Sequence, residues 1–466
     1  VNEQSPRPAP SSSDPSPAGD PGAVGTAGHA PAAAPANTRG RVIVASMVGT
    51  TIEFFDFYAY ATAASLVFPT LFFPEQSPTT QLLSSFAVFG VAFVARPLGS
   101  VLFGHFGDRI GRKRTLVASL LVMGIATFLI GILPPATTPG FSVLAPAILV
   151  LLRFCQGVGL GGEWSGAALL ATENAPPGKR ALYGTFPQLG APIGFILTNV
   201  LFVVLSVTLS DEQFMSWGWR VPFLISAVLV VVGLWVRLRL METPAFQRVL
   251  DEQRVAEVPV ARVFTTAWKP LVLATLAMVA TYVLFYMMTA FLMVVGTTPT
   301  TDPVPGLGYE RPAFLAMLII GVVFFGIFTL VSGPLADRVG RRSMLLVVTA
   351  GIAVFGLLLQ PLISLGTVGV MVTLILGFTL MGLTFGPMAA FLPEMFAADV
   401  RYTGSAVSYN MASVIGAAPA PYALIALWTL LDGSLWLVGG YLVLAAAVTA
   451  VALLLGSETK DVDYLA

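Results

Sequence analysis

The chain has 466 residues, 56% of them hydrophobic and only 10% charged, with a mean hydropathy of +0.85, whereas a soluble domain carries roughly 25% charged residues. This excludes a water-soluble protein and points to one embedded in lipid. The 24 cations and 24 anions balance, which gives no basis for a nucleic-acid partner, and the single cysteine, Cys155, excludes a disulfide framework or a thiolate metal site.

Residues 1–40 are rich in Pro, Ala, Ser and Gly, with almost no large apolar side chains to offset the entropy of ordering. They are expected to form a disordered cytoplasmic tail, and they lack the charged start, apolar centre and cleavage site of a signal peptide. From Val42 the sequence resolves into twelve apolar runs, at about 42–68, 82–106, 115–133, 143–172, 181–209, 220–240, 269–295, 312–335, 343–363, 368–391, 403–430 and 434–456. Each is near the ~20 residues that cross ~30 Å of hydrocarbon. Interior Gly and Pro, as between Gly184 and Asn199, favour helices over barrel strands. The expected fold class is all-α and integral to the membrane: twelve transmembrane helices in two six-helix halves, 41–240 and 269–456. A cytoplasmic linker at 241–268 joins the halves, and a short cytoplasmic tail at 457–466 follows them.

If both ends are cytoplasmic, only Arg220 and Arg311 fall outside, with Arg96 and Arg153 inside the membrane and every other cation, Arg237 included, on the cytoplasmic face. That bias sets the orientation. Trp217 and Trp219, at the outer end of the sixth run, are expected as interface anchors.

A duplication underlies the two halves. Gly104-His-Phe-Gly-Asp108-Arg109-Ile-Gly111-Arg112 after the second run returns, about 229 residues later, as Gly333-Pro-Leu-Ala-Asp337-Arg338-Val-Gly340-Arg341 after the eighth. So many charges between such apolar runs require a short loop at the membrane surface. Glu173 and Arg180 likewise return as Glu394 and Arg401, with the same spacing. These acids are expected to pair with the loop arginines and lock the cytoplasmic faces together in one state.

Charges inside the apolar runs carry the chemistry. Glu53 and Asp56 share a face of the first helix, Arg96 lies in the second, and Arg153 and Glu163 lie in the fourth. Each costs about 2.5–3.5 kcal/mol to insert, so each needs a partner or a wet cavity. Three acids against two arginines leave one surplus negative charge, where a proton can reside and be exchanged as the surroundings change. His29 and His105 lie outside the membrane interior. Gly157, Gly159, Gly161, Gly162 and Gly166 give the fourth helix a smooth surface, and Pro187 and Pro192 suggest kinks in the fifth. Aromatic residues crowd the first and seventh runs, including Tyr58, Tyr282 and Tyr286, which with Asn410 are candidates to line a solute cavity. No phosphate-binding Gly-x-x-x-x-Gly-Lys-Ser/Thr loop occurs, so ATP-driven transport is not expected, and no nucleophile or metal constellation suggests an enzyme.

The repeated loop resembles the signature of the major facilitator superfamily, and Arg153-Phe-Cys-Gln156-Gly157 resembles its fourth-helix motif associated with proton coupling. Glu53-Phe-Phe-Asp56-Phe-Tyr58, Ala95-Arg96-Pro97-Leu-Gly99, Gly161-Gly162-Glu163-Trp164-Ser-Gly166 and Trp217-Gly218-Trp219-Arg220-Val-Pro222-Phe223 are similar to the metabolite:proton symporter branch, the last to its shikimate permease-like members. Phe54, where the branch commonly carries Trp, is a departure that bears on the cavity. The resemblance implies a plasma-membrane symporter, without cofactor other than the proton as coupling ion, that imports a small carboxylated metabolite as a monomer. Glu53, Asp56, Arg96, Arg153 and Glu163 would serve proton coupling. Arg96, Arg153, Tyr58, Gln156, Gln188, Tyr282, Tyr286 and Asn410 would contact solute, and Gly104, Asp108, Arg109, Gly111 and Arg112, with their second-half counterparts Asp337, Arg338, Gly340 and Arg341, would gate. A zwitterionic osmolyte such as proline or glycine betaine is the alternative solute, and a non-transporting solute receptor the alternative of another class. No heptads follow Glu458-Thr-Lys-Asp461, so coiled-coil osmosensing is not expected.

Overall fold

A computed structural model describes residues 39–239, 241–243, 247 and 259–462. The expected tail before residue 39 and most of the expected linker lie outside the described residues. Twelve helices are long and apolar enough to cross a membrane: α1 (Gly40–Leu66), α2 (Ala87–Ile110), α3 (Arg112–Ile132), α4 (Leu144–Glu173), α5 (Arg180–Thr208), α6 (Gly218–Leu238), α7 (Trp268–Thr297), α8 (Arg311–Val339), α9 (Arg341–Ile363), α10 (Gly366–Glu394), α11 (Arg401–Leu430) and α12 (Trp436–Leu455). Large side chains such as Val94, Leu151, Val207, Val347 and Leu455 are exposed on the outer surfaces, as lipid contact requires.

The repeated motif is not the loop its charges suggest. Helix runs through Asp108 and Arg109 to Ile110 and resumes at Arg112, so Gly111 alone makes the turn, at φ 108° and ψ 156°. Gly340 does the same between α8 and α9, at φ 106° and ψ 150°. A side chain is strained in that region by about 1–3 kcal/mol. Gly111→Ala and Gly340→Ala should each lower stability by about that amount, measured by thermal unfolding of the purified protein. A Cβ on Gly340 would also stand 2.5 Å from the Glu458 carboxylate, so its variant should suffer more.

Small residues fix the close crossings. A Cβ on Gly161 of α4 would lie 2.2 Å from the Arg96 carbonyl of α2, and one on Gly382, at the matching place in α10, would lie 2.6 Å from the Phe325 carbonyl of α8. The duplication therefore extends to the packing seams. Three helices are irregular: α5 breaks at Leu189, α7 contains a π segment at Met287–Phe291, and α11 contains another at Ser413–Ala417. In α5 the Pro187 carbonyl accepts a hydrogen bond from Thr50 of α1, at 2.6 Å. Such breaks are tolerated where other protein groups satisfy the backbone.

The expectation for Trp219 is corrected. Its side chain is fully buried and packs edge-on against Phe68, Phe72 and Phe223, while Trp217 is exposed. The next residue, Arg220, donates to the carbonyls of Gly131 and Leu133 at 2.8 and 2.9 Å, closing the open end of α3.

Candidate functional site

A cavity lies between the halves. Phe54 and Phe57 of α1, Arg96 of α2 and Ala191 of α5 line it from the first half. From the second come Met278, Thr281, Tyr282, Phe285 and Tyr286 of α7, Met381 and Phe385 of α10, and Tyr409 of α11. Among the described lining residues Arg96 is the only charge. Its guanidinium carbon stands 5.3 Å from the ring centres of both Phe57 and Phe93, and among the described residues it makes no ion pair and its Nε has no hydrogen-bond partner. A buried cation held only by ring faces keeps strong unspent attraction for an anion.

Behind the cavity lies a chain of polar groups. Arg153 donates to Gln156 Oε1 at 2.6 Å, Gln156 Nε2 donates to Thr127 Oγ1 at 2.7 Å, and the Thr127 hydroxyl donates to Asp56 Oδ2 at 2.9 Å. Arg153 and Asp56 are thus joined through two intermediaries rather than paired. Arg153 also lies against the Tyr60 ring at 4.0 Å, with its Nε and Nη2 unpartnered. Asp56 Oδ1 and Glu53 Oε2 are likewise buried without a partner. Glu53, Asp56, Arg96 and Arg153 form a group of four charges with no direct ion pair among the described residues.

Glu163 stands apart from that group. Arg237, counted above among the surface cations, reaches inward from the end of α6, pairs with Glu163 and donates to the Leu116 carbonyl at 2.7 Å. Ser119 also donates to Glu163, at 3.1 Å. The surplus negative charge read from the sequence therefore does not exist. Three buried carboxylates face three arginines, because Arg237 snorkels inward rather than outward.

The face that carries the repeated motifs is sealed by two reciprocal contacts. Asp108, at the end of α2, accepts from the backbone N–H groups of Tyr402 and Thr403 at 3.2 and 2.9 Å and from the Thr403 hydroxyl at 2.8 Å, capping α11 of the other half. Asp337, at the end of α8, accepts from the N–H groups of Ala181 and Leu182, both at 3.0 Å, capping α5 of the first half. Each acid satisfies orphan donors at a helix start across the interface. The glycines that open the motif permit the approach: a Cβ on Gly104 would lie 2.8 Å from Thr403 Cα, and one on Gly333 would lie 2.6 Å from Leu182 Cα.

The arginines brace the acids. Arg112 bonds Asp108 at 3.1 Å and Glu173 at 3.5 Å. Arg341 contacts Asp337 at 3.1 Å and binds Glu394 through two nitrogens, at 3.1 and 3.2 Å. Glu173 also receives Arg401 from the opposite half at 4.0 Å, and Arg180 donates to the Val462 carbonyl at 2.5 Å. Arg109 and Arg338, in contrast, are exposed and stand outside this network.

Two residue pairs in the network escaped the sequence reading. Glu242 accepts from the N–H groups of Arg112 and Lys113 at the start of α3, and Glu458 from those of Arg341 and Arg342 at the start of α9. The adjoining hydroxyls, Thr243 and Thr459, donate to Glu173 and Glu394. The signal was present as Glu-Thr recurring just past the sixth and twelfth runs.

Between cavity and seal lies a seam. Trp164 and Tyr409 stack across it at 3.9 Å and 6°. Trp164 donates to Gln188 at 2.7 Å, and Gln188 donates to the Phe385 carbonyl at 2.6 Å. Asn410 and Tyr402 donate to the carbonyls of Gly161 and Gly162, at 3.0 and 2.6 Å. Of the eight solute-contact candidates, Arg96, Tyr282 and Tyr286 line the cavity. Gln188 and Asn410 bridge the seam instead, Gln156 and Arg153 belong to the polar chain, and Tyr58 packs against Phe54 and Phe195.

The family model of the Major Facilitator Superfamily matches residues 46–421. The chain is 55% identical over 428 residues to the inner membrane metabolite transport protein YhjE of Escherichia coli (strain K12), covering 91% of this chain and 96% of that one. It is 37% identical over 434 residues to the shikimate transporter of the same organism, covering 90% and 95%. The solved structure of the proton:xylose symporter XylE bound to 6-bromo-6-deoxy-D-glucose superposes with a TM-score of 0.71 at 16% identity, over 90% of this chain and 96% of that one, a likeness of fold. With its twelve spans, duplicated halves and central cavity, the chain belongs to the Major Facilitator Superfamily and is a solute transporter.

Proposed function

We propose that the protein is a proton symporter that imports a small carboxylated metabolite, shikimate or a related organic acid, by alternating access. The observation that carries this reading is Arg96: a buried cation on the cavity wall, without an acidic partner, suits a solute carboxylate. Proton coupling is supported by charge balance. With three buried carboxylates against three arginines, an entering anion leaves the interior neutral when one proton enters with it. Asp56 is the carboxyl we assign to that proton. It is linked to Arg153 only through Thr127 and Gln156, so protonation frees a chain of hydrogen bonds rather than leaving one arginine abruptly unpaired. Glu53, one turn nearer the sealed face, serves as a second acid of the same group.

The cation count favours a cytoplasmic sealed face with both termini inside, and the name of the YhjE relative favours the inner membrane. We assign function to the monomer, since one chain contains both halves and the cavity. In reconstituted vesicles, an inward proton gradient should drive accumulation of labelled shikimate, and Asp56→Asn should abolish accumulation while solute exchange continues. Uptake indifferent to both the gradient and Asp56→Asn would remove the proton from the mechanism. The aromatic lining supports one second reading, a zwitterion such as glycine betaine held by cation–π attraction. Competition between labelled shikimate and betaine decides between them.

A further inference from the structure

The cavity also limits what kind of acid it can hold. Its one described cation is Arg96, and no acid lines it. The next guanidinium, Arg153, is fully buried outside the cavity lining, where it donates to Gln156 and lies on the Tyr60 ring. A second carboxylate on the solute would therefore be desolvated without a partner. Hydrogen-bonding capacity is equally short. Thr281 is tied to Thr384 at 2.9 Å, and Tyr282 donates to the Tyr409 carbonyl at 3.3 Å. Gln188 and the Asn410 amide nitrogen are turned to the seam, which leaves the hydroxyls of Tyr286 and Tyr409 on the lining, too few for a solute carrying several hydroxyls. What remains is ring surface: Phe54 and Phe57 on one side, with Phe285, Tyr286 and Phe385 on the other. A flat solute ring gains from stacked or edge-on contact with each aromatic partner beyond its area burial. A quaternary ammonium would instead compete for the Phe57 ring with the Arg96 guanidinium that already lies against it.

We propose that the solute is a monocarboxylate with a flat, largely apolar ring, its carboxylate on Arg96 and its ring between the aromatic walls of the two halves. This rests on the reading of the cavity as a carboxylate site and narrows it.

The test is calorimetric binding to the purified full chain at neutral pH, with four probes. Benzoate has one carboxylate on a bare ring, phthalate adds a second carboxylate, shikimate carries hydroxyls on its ring, and glycine betaine has no ring. Benzoate should bind about tenfold or more tighter than phthalate and betaine, and tighter than shikimate. Phe385→Leu should weaken benzoate several-fold more than shikimate. If that variant does not fold, the rank order on the natural chain decides alone. Phthalate or betaine binding as tightly as benzoate, or shikimate binding more tightly, would overturn the inference. If benzoate fails to bind while shikimate accumulates with protons in vesicles, only this narrowing falls. If neither carboxylate binds or moves, the carboxylate reading falls with it.

Discussion

Arg237→Met is expected to destabilise the protein by about 3–5 kcal/mol, the cost of leaving a buried carboxylate without its partner. Glu163 and Arg237 are 1% and 2% exposed, so water cannot replace the lost charge. The slot is also shaped for this pair, since a Cβ on Gly49 would run into the Arg237 guanidinium. Glu163→Met should cost a similar amount, because Arg237 would retain only the Leu116 carbonyl. The double variant Glu163→Met with Arg237→Met should recover most of either loss, since replacing both charges with apolar groups of similar volume is close to neutral. Thermal unfolding of the four proteins measures this directly. A double variant whose loss equals the sum of the two single losses would show that each residue acts independently of the other.

The same pair shows where sequence reasoning reaches and where it stops. Charges inside apolar runs stand out, so Glu53, Asp56, Arg96, Arg153 and Glu163 could be singled out by hydropathy alone. The twelve helices were legible for the same reason, and the duplication because Asp108 and Asp337 sit in matching strings. Partners were not legible. Arg237 lies at the end of its run, where a long side chain can turn either way, and the packing of α6 against α1 and α3 turns it inward, toward Leu116 and Glu163. Gln188 and Asn410 have cavity-facing chemistry, but helix rotation directs them into the seam. Gly111 and Gly340 looked like loop residues because charges surround them, yet helix continues to each from both sides.

Removing both interface acids, with Asp108→Ala and Asp337→Ala together, should open the sealed face. Each carboxylate caps two backbone N–H groups at the start of a helix in the opposite half. A cap of this kind is worth about 0.5–2 kcal/mol, so one loss should raise the open population by about 2- to 30-fold, and both losses by roughly 5- to 900-fold. Arg112 and Arg341 keep Glu173 and Glu394 as partners, so neither is stranded by the change. In a Cys155→Ser background, Thr281→Cys places a thiol on the cavity wall. A membrane-impermeant maleimide applied from the motif-bearing face should label it slowly in the parent, faster in each single variant and fastest in the double. Arg109→Ala, at an exposed residue outside the network, should leave labelling unchanged. Solute affinity should remain near the parent value in all of them, because neither acid touches the cavity. Unchanged labelling in the double variant would mean that the seam of Trp164, Gln188 and Tyr409 alone holds the face shut. Rapid labelling with lost binding would mean that the seal and the cavity are a single structure, which the separation of their residues argues against.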